Sequence, residues 1–235
     1  MLLKVEEIHS YYGQSHVLHG VSLGLNAGEI VCILGRNGVG KTTTLKSIIG
    51  LVPPRSGSIT FKGQELIGLR PFQISRLGIG FVPEERRIFG SLTVEENLLI
   101  GMKKGCHNGG NSWSLERVYE TFPVLKKRRN NLGKHLSGGE QQILTIVRTL
   151  MGNPEVLLVD EPTEGLAPLM AKEILGILSR IREDGVSILM VEQNFKATIK
   201  MGDRFYVMNK GQIVFEGTRE DLMKAEDIRM TYLEV

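Results

Sequence analysis

Long apolar runs are missing from this chain. No uninterrupted stretch approaches the roughly 20 residues that a membrane-spanning helix needs, so any work at a membrane requires another subunit to hold the protein there. The N-terminus meets Glu6 and Glu7 before an apolar run can form, which excludes a signal peptide reading. Cysteine is scarce, with Cys32 and Cys106 the two present. That excludes a disulfide framework or a cysteine-built metal site and fits a reducing cytosol. Cys32 falls in the apolar run 30–34 and reads as core, while Cys106 falls in a polar, glycine-rich stretch. Excess charge is also small, +3 from 29 basic and 26 acidic side chains, too mild to point to nucleic acid or an anionic membrane surface. Internal repeats and low-complexity tracts are absent.

What is present is a globular composition, 41% hydrophobic and 23% charged over 235 residues. That length fits one large domain or one domain with a smaller one embedded. Residues 2–10 and 17–25 alternate as strands do, with turn residues 12–15 between them. The run 29–34 reads as a buried strand, and 41–50 as a helix ended by Gly50. Short strands follow at 58–62 and 79–83. Helices are predicted over 93–103 and 115–127, separated by a loop at 105–112. Helix–strand alternation then resumes: helix 139–151, strand 156–159, helix 169–182, strand 187–191, a hairpin of 204–208 with 212–216, and a helix over 221–233. Such alternation predicts an α/β protein whose parallel sheet is covered on both faces.

Gly35-Arg36-Asn37-Gly38-Val39-Gly40-Lys41-Thr42 matches G-x-x-x-x-G-K-[ST] at every fixed position, with an apolar strand before it and a helix after it. The glycines let the backbone curl so that successive N–H groups and the helix N-terminus form a nest for phosphate oxygens. Lys41 supplies a point charge at the β- and γ-phosphates. Thr42 offers a hydroxyl to Mg²⁺, and Thr43 can reach the α-phosphate. A glycine turn that merely reverses the chain would not need the lysine and threonine.

Val156-Leu157-Leu158-Val159 runs into Asp160-Glu161-Pro162. Carboxylates at the C-terminal end of a buried strand lie at the edge where α/β sheets bind ligands. Asp160 is placed to hold Mg²⁺ through water and Glu161 to act as general base. Alone, the pair would read as a surface turn before a proline; the phosphate loop favours the catalytic reading. Further on, Leu136-Ser137-Gly138-Gly139-Glu140-Gln141 opens a helix in which Ser137 and Glu140 form a capping box. The cap explains the local structure but not two consecutive glycines. A backbone lying against a second phosphate would explain them.

These three segments, in this order, resemble the ATPase subunit of ATP-binding-cassette (ABC) transporters over essentially the whole chain, and the LSGGEQ segment is highly specific to that superfamily. The resemblance implies a P-loop NTPase fold of the ABC type, with a mostly parallel core sheet, an antiparallel β lobe and a helical subdomain. The chain would be one ABC ATPase domain over 1–235, with 1–84 and 137–235 as the core with its β lobe, and 85–136 as the helical part. It implies ATP hydrolysis with Mg²⁺, and a head-to-tail dimer with a second cassette, identical or paralogous. In that dimer Ser137, Gly138 and Gly139 serve the partner's ATP. Tyr12 matches the aromatic that stacks on adenine, with Tyr11 the competing candidate. Integral membrane permease subunits would dock on the helical part, a periplasmic binding protein would act indirectly, and the chain would sit peripherally on the cytoplasmic face of the inner membrane.

Three positions depart from the common family pattern. Glu84 stands where Gln is usual, Gln193 where His is usual, and Ala167 where Asp is usual. With Val-Pro-Glu, Val-Glu-Gln-Asn and Glu-Gly-Leu-Ala-Pro together, the chain is similar to the shorter ATPase of branched-chain amino-acid importers. ATPases of urea or amide importers, of other amino-acid importers, or soluble cassette ATPases are the rivals. Glu84 keeps an oxygen for a Mg²⁺ water but adds negative charge. Gln193 can donate to a γ-phosphate without titrating near neutrality.

Overall fold

The computed structural model describes residues 1–103 and 112–233. Cys106 and most of the loop expected at 105–112 lie outside the described residues. The chain opens with strands β1 (Leu3–Tyr12), β2 (Ser15–Leu25) and β3 (Ile30–Leu34), then helix α1 (Lys41–Ile48), β4 (Ser56–Phe61), the short β5 (Gln64–Glu65), α2 (Pro71–Leu77) and β6 (Ile79–Val82). Helices α3 (Val94–Gly101), α4 (Leu115–Thr121), α5 (Pro123–Lys127) and α6 (Gly138–Leu150) follow. The remainder is β7 (Val156–Asp160), α7 (Pro168–Glu183), β8 (Ser187–Glu192), α8 (Phe195–Thr198), β9 (Arg204–Asn209), β10 (Gln212–Thr218), α9 (Arg219–Lys224) and α10 (Glu226–Ile228), ending in a π turn over Arg229–Leu233.

Two sheets result. One is antiparallel, in the order β2-β1-β4-β5; the other runs β10-β9-β3-β8-β7-β6 and is parallel except for the β9–β10 hairpin at its edge. Strands β3, β7 and β8 are buried on both faces, which is why they read as unbroken apolar runs. Their side chains still divide by a period of two. Cys32, Leu157, Val159, Ile188 and Met190 face one core with α6 and α7, while Ile33, Leu158, Leu189 and Val191 face the other with α1 and the antiparallel sheet. Helix α1 is therefore held between the two sheets, and its N-terminus is fixed at the C-terminal edge of β3.

Several expectations need correction. Tyr12 and Ser15 pair across the first hairpin, so the turn is Gly13-Gln14 and Tyr12 belongs to β1. The helix expected over 115–127 breaks at Phe122-Pro123, because the proline lacks the N–H that would continue α4. The C-terminal helix is three short pieces rather than one. Helices α2 and α8 and strand β5 were not anticipated. No helix among the described residues is long and apolar enough to cross a membrane.

Candidate active site

The loop from Gly35 to Gly40 joins β3 to α1. Gly38 has φ 79° and open space where a Cβ would stand, so its glycine serves backbone conformation alone. Gly40 has φ 112°, and a Cβ there would also meet Leu18 at 2.9 Å. The loop carries Arg36, Asn37 and Val39 in between, with Arg36 and Asn37 exposed. Lys41 folds back over it: its ammonium donates to the carbonyls of Gly35 (2.9 Å) and Arg36 (3.0 Å). Thr43 is buried in the first turn of α1. The lysine is 3% exposed and forms an ion pair of 3.0 Å with Glu161 Oε1.

Strand β7 delivers Asp160 and Glu161 to this loop. Thr42 Oγ1 donates to Asp160 Oδ1 at 2.8 Å. Asp160 is 2% exposed and has no ion-pair partner among the described residues. Burial pushes its carboxyl up to about 6 against the opposing Thr42 hydrogen bond, and the charges of Glu161 and Glu84 add to the rise. A buried carboxylate short of positive charge, bonded to a hydroxyl and facing Glu84, is a set of hard oxygen donors. That set fits Mg²⁺. The cleft beside it is lined by Thr42, Lys46, Glu84 and Asp160, so β6 does bring Glu84 to the same mouth.

Glu161 has φ 41°, a conformation unusual for a non-glycine residue. Its N–H bonds the Val191 carbonyl, which ties the turn to β8. Glu164, three residues on, is pushed up to about 7, first by its interaction with the Glu161 carboxylate and then by burial. Glu192 was missed by the sequence reading. It is buried at the end of β8, accepts from Thr163 N (3.0 Å) and Thr163 Oγ1 (2.8 Å), and burial raises its carboxyl. The signal was available: an apolar strand ending in an acid, as at Asp160. Gln193 beside it is exposed, and its side chain has no hydrogen-bond partner among the described residues.

The two tyrosines separate clearly. Tyr11 stacks on His16 (4.2 Å, 7°) and carries the Arg55 guanidinium 4.1 Å from its ring centre. Tyr12 is 48% exposed. An incoming flat ligand finds Tyr12 available and Tyr11 already engaged.

Ser137, Gly138 and Gly139 lie apart from this cleft, at the N-terminus of α6. Ser137 accepts from Glu140 N, and Glu140 accepts from Ser137 N (2.8 Å), closing the expected capping box. The glycines have neighbours within the chain: a Cβ on Gly139 would stand 2.5 Å from Met170 of α7, and one on Gly138 2.6 Å from Arg86. Both glycines thus leave room for side chains of their own chain, Met170 and Arg86.

The sequence profile of the family described as ABC transporter matches residues 18–164. The chain is 42% identical to the high-affinity branched-chain amino acid transport ATP-binding protein BraG of Pseudomonas aeruginosa, over 99% of each chain. It is 35% identical to the lipopolysaccharide export system ATP-binding protein LptB of Haemophilus influenzae, over 99% of this chain and 97% of that one. Among solved structures it is similar to the dimeric post-hydrolysis state of the ATP-binding cassette MJ0796 bound to ADP and Pi. That match has a TM-score of 0.78 and 27% identity, and covers 92% of this chain and 98% of the other.

Proposed function

Because the chain belongs to the ABC transporter family, whose cassettes hydrolyse ATP, we propose that it powers an importer of the branched-chain amino acids leucine, isoleucine and valine. The observation that carries the solute class is the 42% identity to BraG along the full length of both chains. Cassettes of this family dimerise and act with membrane permease subunits. The partner here is a second cassette, identical or paralogous, and the chain sits on the cytoplasmic face of the membrane. Residues 85–136 form the part that meets the permease, and a periplasmic binding protein supplies the solute.

The assigned chemistry follows from the charges around the cleft. The backbone N–H groups of the 35–40 loop and the Lys41 ammonium hold the β- and γ-phosphates, with Thr43 near the α-phosphate. Thr42 directly, and Asp160 and Glu84 through water, would hold Mg²⁺, which when bound would neutralise phosphate charge. Glu161 orients the attacking water and accepts its proton. Gln193 donates to the γ-phosphate, and Tyr12 stacks on adenine. Ser137, Gly138 and Gly139 present a helix N-terminus to the nucleotide held by the partner. Positioning and electrostatics thus carry the phosphoryl transfer.

The 35% identity to LptB supports a second reading, lipopolysaccharide export, and the ATPases of urea or amide importers are a third. Uptake of radiolabelled leucine, isoleucine and valine separates them, measured in the native host lacking this chain and complemented with wild type or Glu161→Gln. Deletion lowers uptake, wild type restores it and Glu161→Gln does not. Unchanged uptake of all three amino acids would remove the solute assignment while leaving the ATPase intact.

A further inference from the structure

We propose that Arg86 is a positioning residue for hydrolysis: its guanidinium is bonded to the turn that carries Glu161 and lies against the first turn of α6. The inference rests on the proposed roles of Glu161 and of the α6 N-terminus.

Arg86 Nη2 donates to the Glu164 carbonyl at 2.7 Å. Its Nη1 lies 2.6 Å from where a Cβ would stand on Gly138, and its Nη2 lies 3.4 Å from the same point on Gly165. The guanidinium thus fills the fork between two segments that the chain order separates widely. One holds the carboxylate that acts on this chain's own nucleotide. The other presents its N–H groups to the partner's nucleotide.

The backbone aims the side chain there. Arg86 has φ 32°. Its N–H bonds the Glu84 carbonyl (2.5 Å), and its own carbonyl accepts from Ile88 N (2.8 Å). These are two successive three-residue turns. A non-glycine residue in the left-handed region is strained and persists where its surroundings determine it. The charge is also placed against local preference, because a helix N-terminus favours anions. The Glu164 carbonyl holds the guanidinium in place. Neighbouring Arg87 behaves differently: it pairs in solvent with Glu85 at 2.6 Å.

The turn also starts at Glu84, whose side chain lines the same cleft as Thr42 and Asp160.

The test uses the assembled complex with its second cassette and permease subunits, comparing wild type, Arg86→Ala, Arg86→Lys and Arg87→Ala. Phosphate release gives kcat and KM, and titration of the isolated chain with a fluorescent ATP analogue gives nucleotide affinity. Arg86→Ala lowers kcat about tenfold, equivalent to ~1.4 kcal/mol of transition-state stabilisation. KM and isolated-chain affinity stay within about twofold. Arg86→Lys recovers most of the rate, because an ammonium still reaches the Glu164 carbonyl, and Arg87→Ala matches wild type. The assignment is overturned if Arg86→Ala turns over like wild type. It is equally overturned if rate and nucleotide affinity fall together and Arg86→Lys rescues neither, the mark of a loop that has merely unfolded. A wild-type complex that releases no phosphate would instead overturn the proposed function itself.

Discussion

Lys41 and Glu161 form an ion pair of 3.0 Å inside the phosphate loop, both nearly buried. In the free chain the lysine assigned to the phosphates is thus neutralised by the carboxylate assigned to the water. Nucleotide binding must exchange one anion for another at Lys41, which releases Glu161 for its task.

Removing either partner has opposite effects on binding. Lys41→Ala takes away the phosphate charge and leaves a buried carboxylate without its cation. It weakens Mg-ATP binding at least tenfold and destabilises the free chain by about 3 kcal/mol. Glu161→Gln removes the competitor, so Mg-ATP binds as tightly as to wild type or several-fold tighter. Calorimetric titration of the isolated chain, with urea unfolding alongside, measures both. Loss of tight binding in a folded Glu161→Gln chain would contradict the exchange.

The carboxylates of the site make the free chain prefer acid. Asp160 rises from 3.8 to about 6 and Glu164 from 4.5 to about 7, so the folded state holds more protons than the unfolded one. The stabilisation is complete below the unfolded values and is lost as pH rises through 6 and 7. The Tm of the nucleotide-free chain therefore falls between pH 5.5 and 7.5. Glu164→Gln flattens that slope and raises Tm at pH 7.5, because the amide can donate to Glu161 where a second carboxylate repels it. A Glu164→Gln slope equal to wild type would show that Glu164 is not protonated beside Glu161.

Asp160→Asn trades function for stability. The amide removes a buried charge that has no ion-pair partner among the described residues, so the nucleotide-free chain melts higher at pH 7.5. Hydrolysis falls by at least 100-fold, because a metal ligand is lost. Thr42→Val shifts the Mg²⁺ concentration needed for half-maximal rate upward by about tenfold. Thermal melts and Mg²⁺ titrations of phosphate release check the pair. A Mg²⁺ requirement unchanged in Thr42→Val places the metal elsewhere.

Gln193 is exposed, and its side-chain amide has no hydrogen-bond partner among the described residues. Its amide has no proton equilibrium between pH 5 and 8, unlike the histidine usual at this place. Gln193→Ala slows turnover, and Gln193→His stays active but gains a pH dependence on the acid side of neutral. Rates from pH 6 to 8.5 at saturating ATP, with the partner cassette present, test both. A wild-type rate for Gln193→Ala across that range passes the role to Glu84.

The legible parts of the fold are those where one short-range rule decides. The apolar runs of β3, β7 and β8 announced a parallel sheet, and the Ser137–Glu140 box announced the start of α6. Less legible were features set by contacts across the chain. The break before Pro123 was signalled by the proline itself, but helical periodicity on both sides masked it. The engagement of Tyr11 by His16 depends on the β1–β2 register, which the sequence does not show. Glu192 and Arg86 meet partners that only folding brings close, Thr163 and the Glu164 carbonyl respectively. The sequence likewise does not show that Met170 and Arg86 lie beside the glycines at 139 and 138.

The central claim is that Glu161 drives ATP hydrolysis at a site completed by a second cassette. Phosphate release from Mg-ATP by the assembled complex, wild type against Glu161→Gln, tests it most directly, with nucleotide occupancy and cassette association measured on the same samples. Glu161→Gln binds Mg-ATP fully, holds the two cassettes together and releases phosphate at least ~100-fold more slowly, the scale expected for losing a general base. Phosphate release by Glu161→Gln at the wild-type rate, from fully occupied sites, would contradict it.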